Sequence, residues 1–161
     1  MLRAAMIGLG WWGRHMVEAI DGSDKIKITK LTARTPEKHK DFSDQKKIPL
    51  VSSYEDVLKD PDIDAVILCT PHSQHEEQFL QAIKQKKQIF CEKPLSLSKE
   101  SVKRMVDAAD KAKIIMGVGH ERRFEPTMEE IHKIVSSGEM GEKMHVEANF
   151  SHSIFASVES D

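Results

Sequence analysis

The stretch "MIGLGWWGRH", residues 6 to 15, sets Gly8, Gly10 and Gly13 on the spacing G-x-G-x-x-G, directly behind the apolar run "LRAAMI". A chain that must leave a buried strand, turn tightly and start a helix at once has few folds open to it. The opening of a βαβ unit is the foremost of them. Each glycine meets a separate demand. Gly8 permits the tight turn, Gly10 lets the backbone approach a diphosphate, and Gly13 lets the helix pack against the strand. The N–H groups around Leu9 and Gly10 and the positive helix end then face one point. The same spacing also serves a strand-to-helix turn that holds nothing.

The rest of the chain favours the first reading, because strands and helices alternate along it. Residues 11 to 20 predict a helix with Met16, Val17 and Ile20 inward. "IKITKLTA", 26 to 33, alternates with period 2 as a strand does. "TPEKHKDFSDQK" predicts a polar helix start followed by a loop, and "IPLVS", 48 to 52, a brief strand. Ser53 with Asp56 predicts an N-cap, and Ser73 with Glu76 a capping box for a helix carrying Phe79, Leu80 and Ile83. "IDAVILCT", 63 to 70, is nearly continuous aliphatic, the mark of a central parallel strand. "QIFCEKP", 88 to 94, predicts the next strand. Ser98 caps a helix with Val102, Met105, Val106 and Ala109 inward, and "KIIMGVG", 113 to 119, predicts a sixth strand. This is an α/β pattern: a doubly wound, parallel, six-stranded Rossmann domain over residues 1–124. Residues 125–161 add one helix closed by Gly138 and the strand-like "KMHVEANFSHSIF", the start of an α+β domain.

Composition narrows the function classes. In 161 residues, 24 Lys and Arg against 26 Asp and Glu give a formal charge of −2, without the basic footprint of a nucleic-acid binder. No apolar run approaches the roughly 18 residues of a membrane span, and "MLRAAMIGLG" reaches its glycines too soon to be expected to act as a signal peptide. The two cysteines, Cys69 and Cys91, form no C-x-x-C and read as reduced core thiols of a cytoplasmic protein. His72 and His75 lack a third ligand at diagnostic spacing, so no metal site is expected.

The coenzyme choice turns on the end of the second strand. NAD-binding folds place a carboxylate about 20 residues past the glycines to hold the ribose hydroxyls. Here Ala33, Arg34 and Thr35 occupy that place. A missing carboxylate removes repulsion toward a 2′-phosphate, and an Arg can bond one in bidentate fashion. The expected coenzyme is therefore NADP, with NAD second; an Arg34 that only stacks on adenine leaves the two nearly equal. Trp11 and Trp12 either cover the coenzyme or pack where helix meets sheet.

"GLGWWGRH", "CTPHSQHEE", "CEKP" and "GHERRFEP" occur in that order, and together they resemble the glucose–fructose oxidoreductase, inositol dehydrogenase and MocA family. The resemblance implies roles residue by residue. Thr70 and Pro71 lie beside the nicotinamide. His75 matches the histidine of a T-P-N-x-x-H pattern, with His72 in the place of its Asn. Glu92 touches the coenzyme ribose. Lys93 matches the lysine near the reacting carbon, and Arg123 the arginine of an N-R-R-F-like segment in which Glu121 replaces Asn. Lys93 also follows a strand's carboxyl end, where doubly wound sheets place ligands. There it can take a hydroxyl proton as hydride leaves, or stabilise the alkoxide.

The family's members continue into a second, open-sheet domain that completes the substrate pocket, so the resemblance implies a chain truncated relative to them. The implied activity is hydride transfer between nicotinamide and a sugar, polyol or related secondary alcohol. The alternative is a nucleotide-binding module without turnover. A lone strand beyond residue 143 cannot form a stable sheet. It predicts pairing with a second copy, as a homodimer or higher homo-oligomer, or a loose tail.

Overall fold

A computed structural model describes residues 1–149. The chain forms two compact units, Met1–His120 and a second from Glu121 onward. The first unit runs β1 (Leu2–Ile7), α1 (Trp11–Ile20), β2 (Ile26–Thr32), a 3-10 turn (Pro36–His39), α2 (Lys40–Lys46), β3 (Leu50–Val51) and α3 (Tyr54–Lys59). It continues through β4 (Ala65–Leu68), α4 (His72–Lys84), β5 (Gln88–Cys91), α5 (Lys99–Ala112) and β6 (Met116–Val118).

The six strands make one sheet, ordered β3-β2-β1-β4-β5-β6, and every adjacent pair is parallel. This is the doubly wound Rossmann arrangement, with the order reversing between β1 and β4. The central strands alternate between two cores. Ala4 and Met6 of β1 join Ile28, Leu31, Ala65 and Ile67 on one face, under Val17 of α1 and Phe42 of α2. Ala5 and Ile7 join Val66, Leu68, Ile89 and Cys91 on the other, under Val57, Phe79, Ala82, Met105 and Ala109. Both faces are covered, so the strands read as aliphatic runs rather than as half-polar stripes.

Two expected caps form: the Asp56 N–H donates to Ser53 Oγ (3.1 Å), and the Ser101 N–H donates to Ser98 Oγ (3.2 Å). The Ser73–Glu76 capping box does not. The α4 helix begins two residues earlier, with Pro71 as its cap position, and Glu76 instead takes a two-pronged contact from Arg104 of α5 (2.6 and 3.0 Å). Where "TPEKHKDFSDQK" is expected to pass from a helix start into a loop, it continues as the helix α2. Burying Phe42 and bonding Ser43 Oγ to the Ile48 carbonyl (2.6 Å) hold it in helical form. The β6 strand starts later than expected because Lys113 takes a left-handed conformation (φ 57°) that closes α5.

At the amino edge of the sheet, the loop before β4 is pinned by charge. Arg3 Nη2 donates to Asp64 Oδ1 (2.8 Å), and the Arg3 backbone N–H to Asp64 Oδ2 (2.9 Å). Lys87 Nζ donates to the carbonyls of Asp60 (2.6 Å) and Ile63 (2.7 Å), and Lys30 pairs with Asp60. The Arg3 guanidinium beside Asp64 holds that carboxyl far below the usual carboxylate range.

In the second unit, a 3-10 turn (Glu121–Phe124) precedes the helix α6 (Pro126–Ser137), which Gly138 closes at φ 81°. Residues 143–149 form no strand, contrary to expectation, and Met144 and Val146 are exposed. A strand needs a partner edge, and none bonds to this stretch among the described residues. The remainder of the expected strand, 150–155, lies outside them.

Candidate functional site

A cavity of about 580 Å³ opens at the carboxyl ends of β1, β2 and β4, where the strand order reverses. A second, of about 530 Å³, lies at the amino end of β2, where Asp21, already paired with Lys46, is the one lining carboxylate among the described residues, beside apolar side chains and lysines. The first is the candidate site, because doubly wound sheets hold ligands at the carboxyl edge.

The glycine turn forms one wall. Gly8 has φ +95°, and a Cβ there would lie 2.5 Å from the Cys69 carbonyl oxygen. Its N–H donates to the Thr32 carbonyl (2.9 Å), joining the turn to β2. A Cβ on Gly13 would lie 2.0 Å from the Gly8 carbonyl oxygen, so helix and turn touch backbone to backbone. Gly10 differs from both. Nothing lies within 4 Å of where its Cβ would be, and its backbone (φ −64°, ψ −177°) is open to any residue. Its lack of a side chain therefore serves space that the protein itself leaves empty.

The α1 helix starts from Gly10 with no side-chain cap and no acidic residue in its first turn. Its first N–H groups and its positive end are left for a ligand. These features fit a diphosphate.

Ala33, Arg34 and Thr35 line the far side of the cavity, after β2. No carboxylate lines any part of it. Arg34 is exposed and has no ion pair among the described residues. The sequence reading missed His39, which ends the 3-10 turn and lines the same side. It also missed Gln74 and Gln78, one helical turn apart on α4. Thr70 Oγ1 donates to Gln78 Oε1 (2.6 Å), Gln78 Nε2 donates to Gln74 Oε1 (3.2 Å), and Tyr54 OH donates to the Gln78 carbonyl (2.8 Å). Their i, i+4 spacing after Thr-Pro was the one available signal; His39 had none. Burial pushes the Tyr54 phenol well above its ordinary value, so it stays a donor.

Of the residues singled out in the sequence, Gly8, Leu9, Gly10, Ala33, Arg34, Thr35, Thr70 and Pro71 line the cavity together. Gly13 lies beneath the turn. Trp11 is largely exposed and Trp12 half-buried; their rings lie 5.3 Å apart, with His15 beside both. Neither lines the cavity.

His72 is exposed at the start of α4, whereas His75 is completely buried. The His75 ring nitrogens lie 2.9 Å from the Thr70 carbonyl oxygen and 3.1 Å from that of Pro94. The ring thus ties the loop after β4 to the loop after β5. Glu92 is buried; its carboxylate sits against Gly119 and accepts the Lys93 backbone N–H (3.2 Å). Lys93 itself is exposed just past β5. Cys69 and Cys91 are free, and burial, then the nearby Glu92 charge, pushes both thiols up to about 12. Arg123 belongs to the second unit, in its 3-10 turn.

A family profile described as an oxidoreductase family with an NAD-binding Rossmann fold (GFO_IDH_MocA) matches residues 2–120. The chain is 36% identical over 137 residues to the uncharacterized oxidoreductase YrbE of Bacillus subtilis, covering 84% of this chain and 40% of that protein. It is 31% identical over 148 residues to the myo-inositol 2-dehydrogenase of Thermotoga maritima, covering 90% and 43%. A crystal structure of a probable dehydrogenase from Thermotoga maritima superposes with a TM-score of 0.83 at 29% identity, over 87% of this chain and 42% of that one. The chain thus spans about two fifths of the length of these relatives. It belongs to the oxidoreductase family of glucose–fructose oxidoreductase, inositol dehydrogenase and MocA, and residues 2–120 are its nucleotide-binding Rossmann domain.

Proposed function

We propose that this chain is the coenzyme-binding portion of an oxidoreductase that moves a hydride between NADP and a secondary alcohol of a sugar or polyol. The observation that carries the reading is the empty space above Gly10, which runs between an uncapped helix start and the unpaired Arg34. A diphosphate spans the first, and a 2′-phosphate meets the second. The relatives named as inositol dehydrogenases support the polyol substrate. One of them carries NAD(+) in its name, so the preference for NADP rests on Arg34 and on the absence of a lining carboxylate.

Bound nicotinamide supplies the carbon that accepts or returns hydride. The protein's own part is positioning and proton transfer. Leu9 and Gly10 offer backbone to the diphosphate, and Thr70 and Pro71 support the nicotinamide side. Lys93 takes the alcohol's proton as hydride departs. His75 braces the Lys93–Pro94 loop against the Thr70 carbonyl, keeping the lysine and the coenzyme floor in register.

Two measurements test this. Titration with NADP and NAD side by side should show tighter NADP binding. Arg34→Ala should weaken NADP by about 10- to 100-fold, the worth of a charged hydrogen bond or two, and leave NAD unchanged. Tighter NAD binding overturns the preference. A panel of polyols, followed by nicotinamide absorbance, should show turnover that Lys93→Ala abolishes while coenzyme binding persists. Binding without turnover on any polyol gives the chain the role of a non-catalytic nucleotide module instead.

A further inference from the structure

His39 has no place in the sequence pattern of a dinucleotide fold, yet it shares a cavity wall with Arg34. A second arginine, Arg14, reaches it from α1. Arg14 Nη2 lies 2.9 Å from His39 Nδ1, Arg14 Nε donates to the Leu9 carbonyl (3.3 Å), and the guanidinium sits 5.1 Å above the Phe42 ring. Arginine has only donors, so Nδ1 must be the acceptor. A ring that accepts through Nδ1 holds its single proton on Nε2 and carries no charge.

The charged groups around the ring agree with that state. Burial, then Arg14, holds His39 below the ordinary imidazole value; Glu37 on its own turn opposes this more weakly, and Lys38 adds slightly to it. Arg34 adds positive charge to the same wall, and no carboxylate lines the cavity. Before a ligand arrives, the site therefore contains an uncharged imidazole, kept neutral first by burial and then by Arg14.

We propose that His39 is a proton-coupled contact for the 2′-phosphate of NADP: the ring takes one proton from solvent as the phosphate docks beside Arg34, and Arg14 lets go of Nδ1. The proposal rests on the NADP reading above and says how that preference is built. A phosphate dianion within hydrogen-bond reach favours the charged imidazole. Protonation fills the Nδ1 lone pair, so Arg14 loses its acceptor there. Its hold on the Leu9 carbonyl and the Phe42 ring keeps it in place behind the imidazole. The site gains a positive charge only when the phosphate is present. NAD, which lacks that phosphate, meets the neutral ring and gains nothing.

The sign follows. Uptake of a proton makes NADP bind more tightly as pH falls, by at most about tenfold per pH unit for one proton. The gain ends near pH 6, where the phosphate monoester itself takes a proton at its second pKa of about 6. NAD affinity stays flat over the same range.

The test is calorimetric titration of the chain with NADP and with NAD at pH 7.0, in two buffers of different ionisation enthalpy, followed by affinities from pH 6.5 to 8. The expected result is uptake of roughly half to one proton with NADP and none with NAD. The NADP-to-NAD selectivity should rise three- to tenfold as pH drops from 8 to about 7. His39→Gln should remove both the uptake and the slope. His39→Lys, with a fixed charge, should keep tight NADP binding with a flat pH dependence. Preferred but proton-neutral NADP binding by the unaltered chain overturns the role of His39 and leaves Arg34 standing. An uptake that survives in His39→Gln overturns it equally, since the proton then goes elsewhere. NAD preferred at every pH removes the NADP reading itself, and the proposal with it.

Discussion

Gly10 and Gly13 stand three residues apart in one motif, yet the structure assigns them opposite sensitivities to a single added methyl group. A Cβ at Gly13 would sit 2.0 Å from the Gly8 carbonyl oxygen, against an ordinary contact of about 3.4 Å or more, so α1 must move by over 1 Å. Overpacking of this kind costs about 3 kcal/mol, the upper part of its usual range, because a backbone atom cannot swing aside. For a chain of this size, that lowers Tm by about 6–12 °C. A Cβ at Gly10 meets nothing within 4 Å and imposes no strain at φ −64°. Two small effects oppose each other there: alanine is a poorer N-cap than glycine, and it restricts the unfolded chain. The net change should stay within about 1 kcal/mol, or about 2–4 °C.

Binding inverts the order. The Gly10→Ala methyl projects into the space where a diphosphate must approach the backbone. Losing two amide-to-phosphate bonds costs about 3 kcal/mol, roughly a hundredfold in Kd. The assay is thermal unfolding of both variants, with coenzyme affinity measured on Gly10→Ala. A Gly10→Ala variant that binds coenzyme like the parent refutes the path of the diphosphate over the turn. A Gly13→Ala variant that melts like the parent refutes the backbone contact.

Two further outcomes follow from charge and burial. Asp64 is held far below its ordinary range by Arg3, so its contribution to stability is fully present above about pH 4 and is lost as pH falls through the folded-state value. The parent chain should lose stability between about pH 4 and 2 faster than Asp64→Asn does, measured as urea midpoints at stepped pH; parallel curves would show that the pair adds nothing. Cys91, buried and pushed up to about 12, should resist alkylation at pH 8 in the folded chain and react only after unfolding, and the half-buried Cys69 at the cavity, pushed up as far, should react slowly; rapid modification of Cys91 without unfolding would contradict its burial.

The sheet was readable in the sequence because both its faces are covered. Burial on two sides turns "LRAAMI", "IDAVILCT" and "QIFC" into aliphatic runs, and a glycine or proline follows each within a few residues. What escaped the reading depended on partners distant in the chain. Glu76 satisfies the capping-box pattern locally, but Arg104, 28 residues on, offers two charged hydrogen bonds at 2.6 and 3.0 Å. The cap yields to the stronger contact. Similarly, "DFSDQK" has a loop's composition and becomes helical because Phe42 finds a core on β2 and an Arg14 guanidinium above its ring.

The site divides along the same line. The place of Gly8, Gly10, Arg34 and Thr70 at the cavity was legible because it depends on backbone position at strand ends, which spacing encodes. The part proposed for His39 depends on which side chain reaches it, and Arg14 comes from another helix, 25 residues earlier. His75 shows the same limit from the other side. Its place in a motif drew attention to it, while its setting is an interior one, between the carbonyls of Thr70 and Pro94 with no exposed surface. A residue so placed can reach a ligand only through the two loops it joins. Variants at His75 should therefore disturb Lys93 and the nicotinamide floor together, while substitution at Arg34 changes one end of the cavity alone.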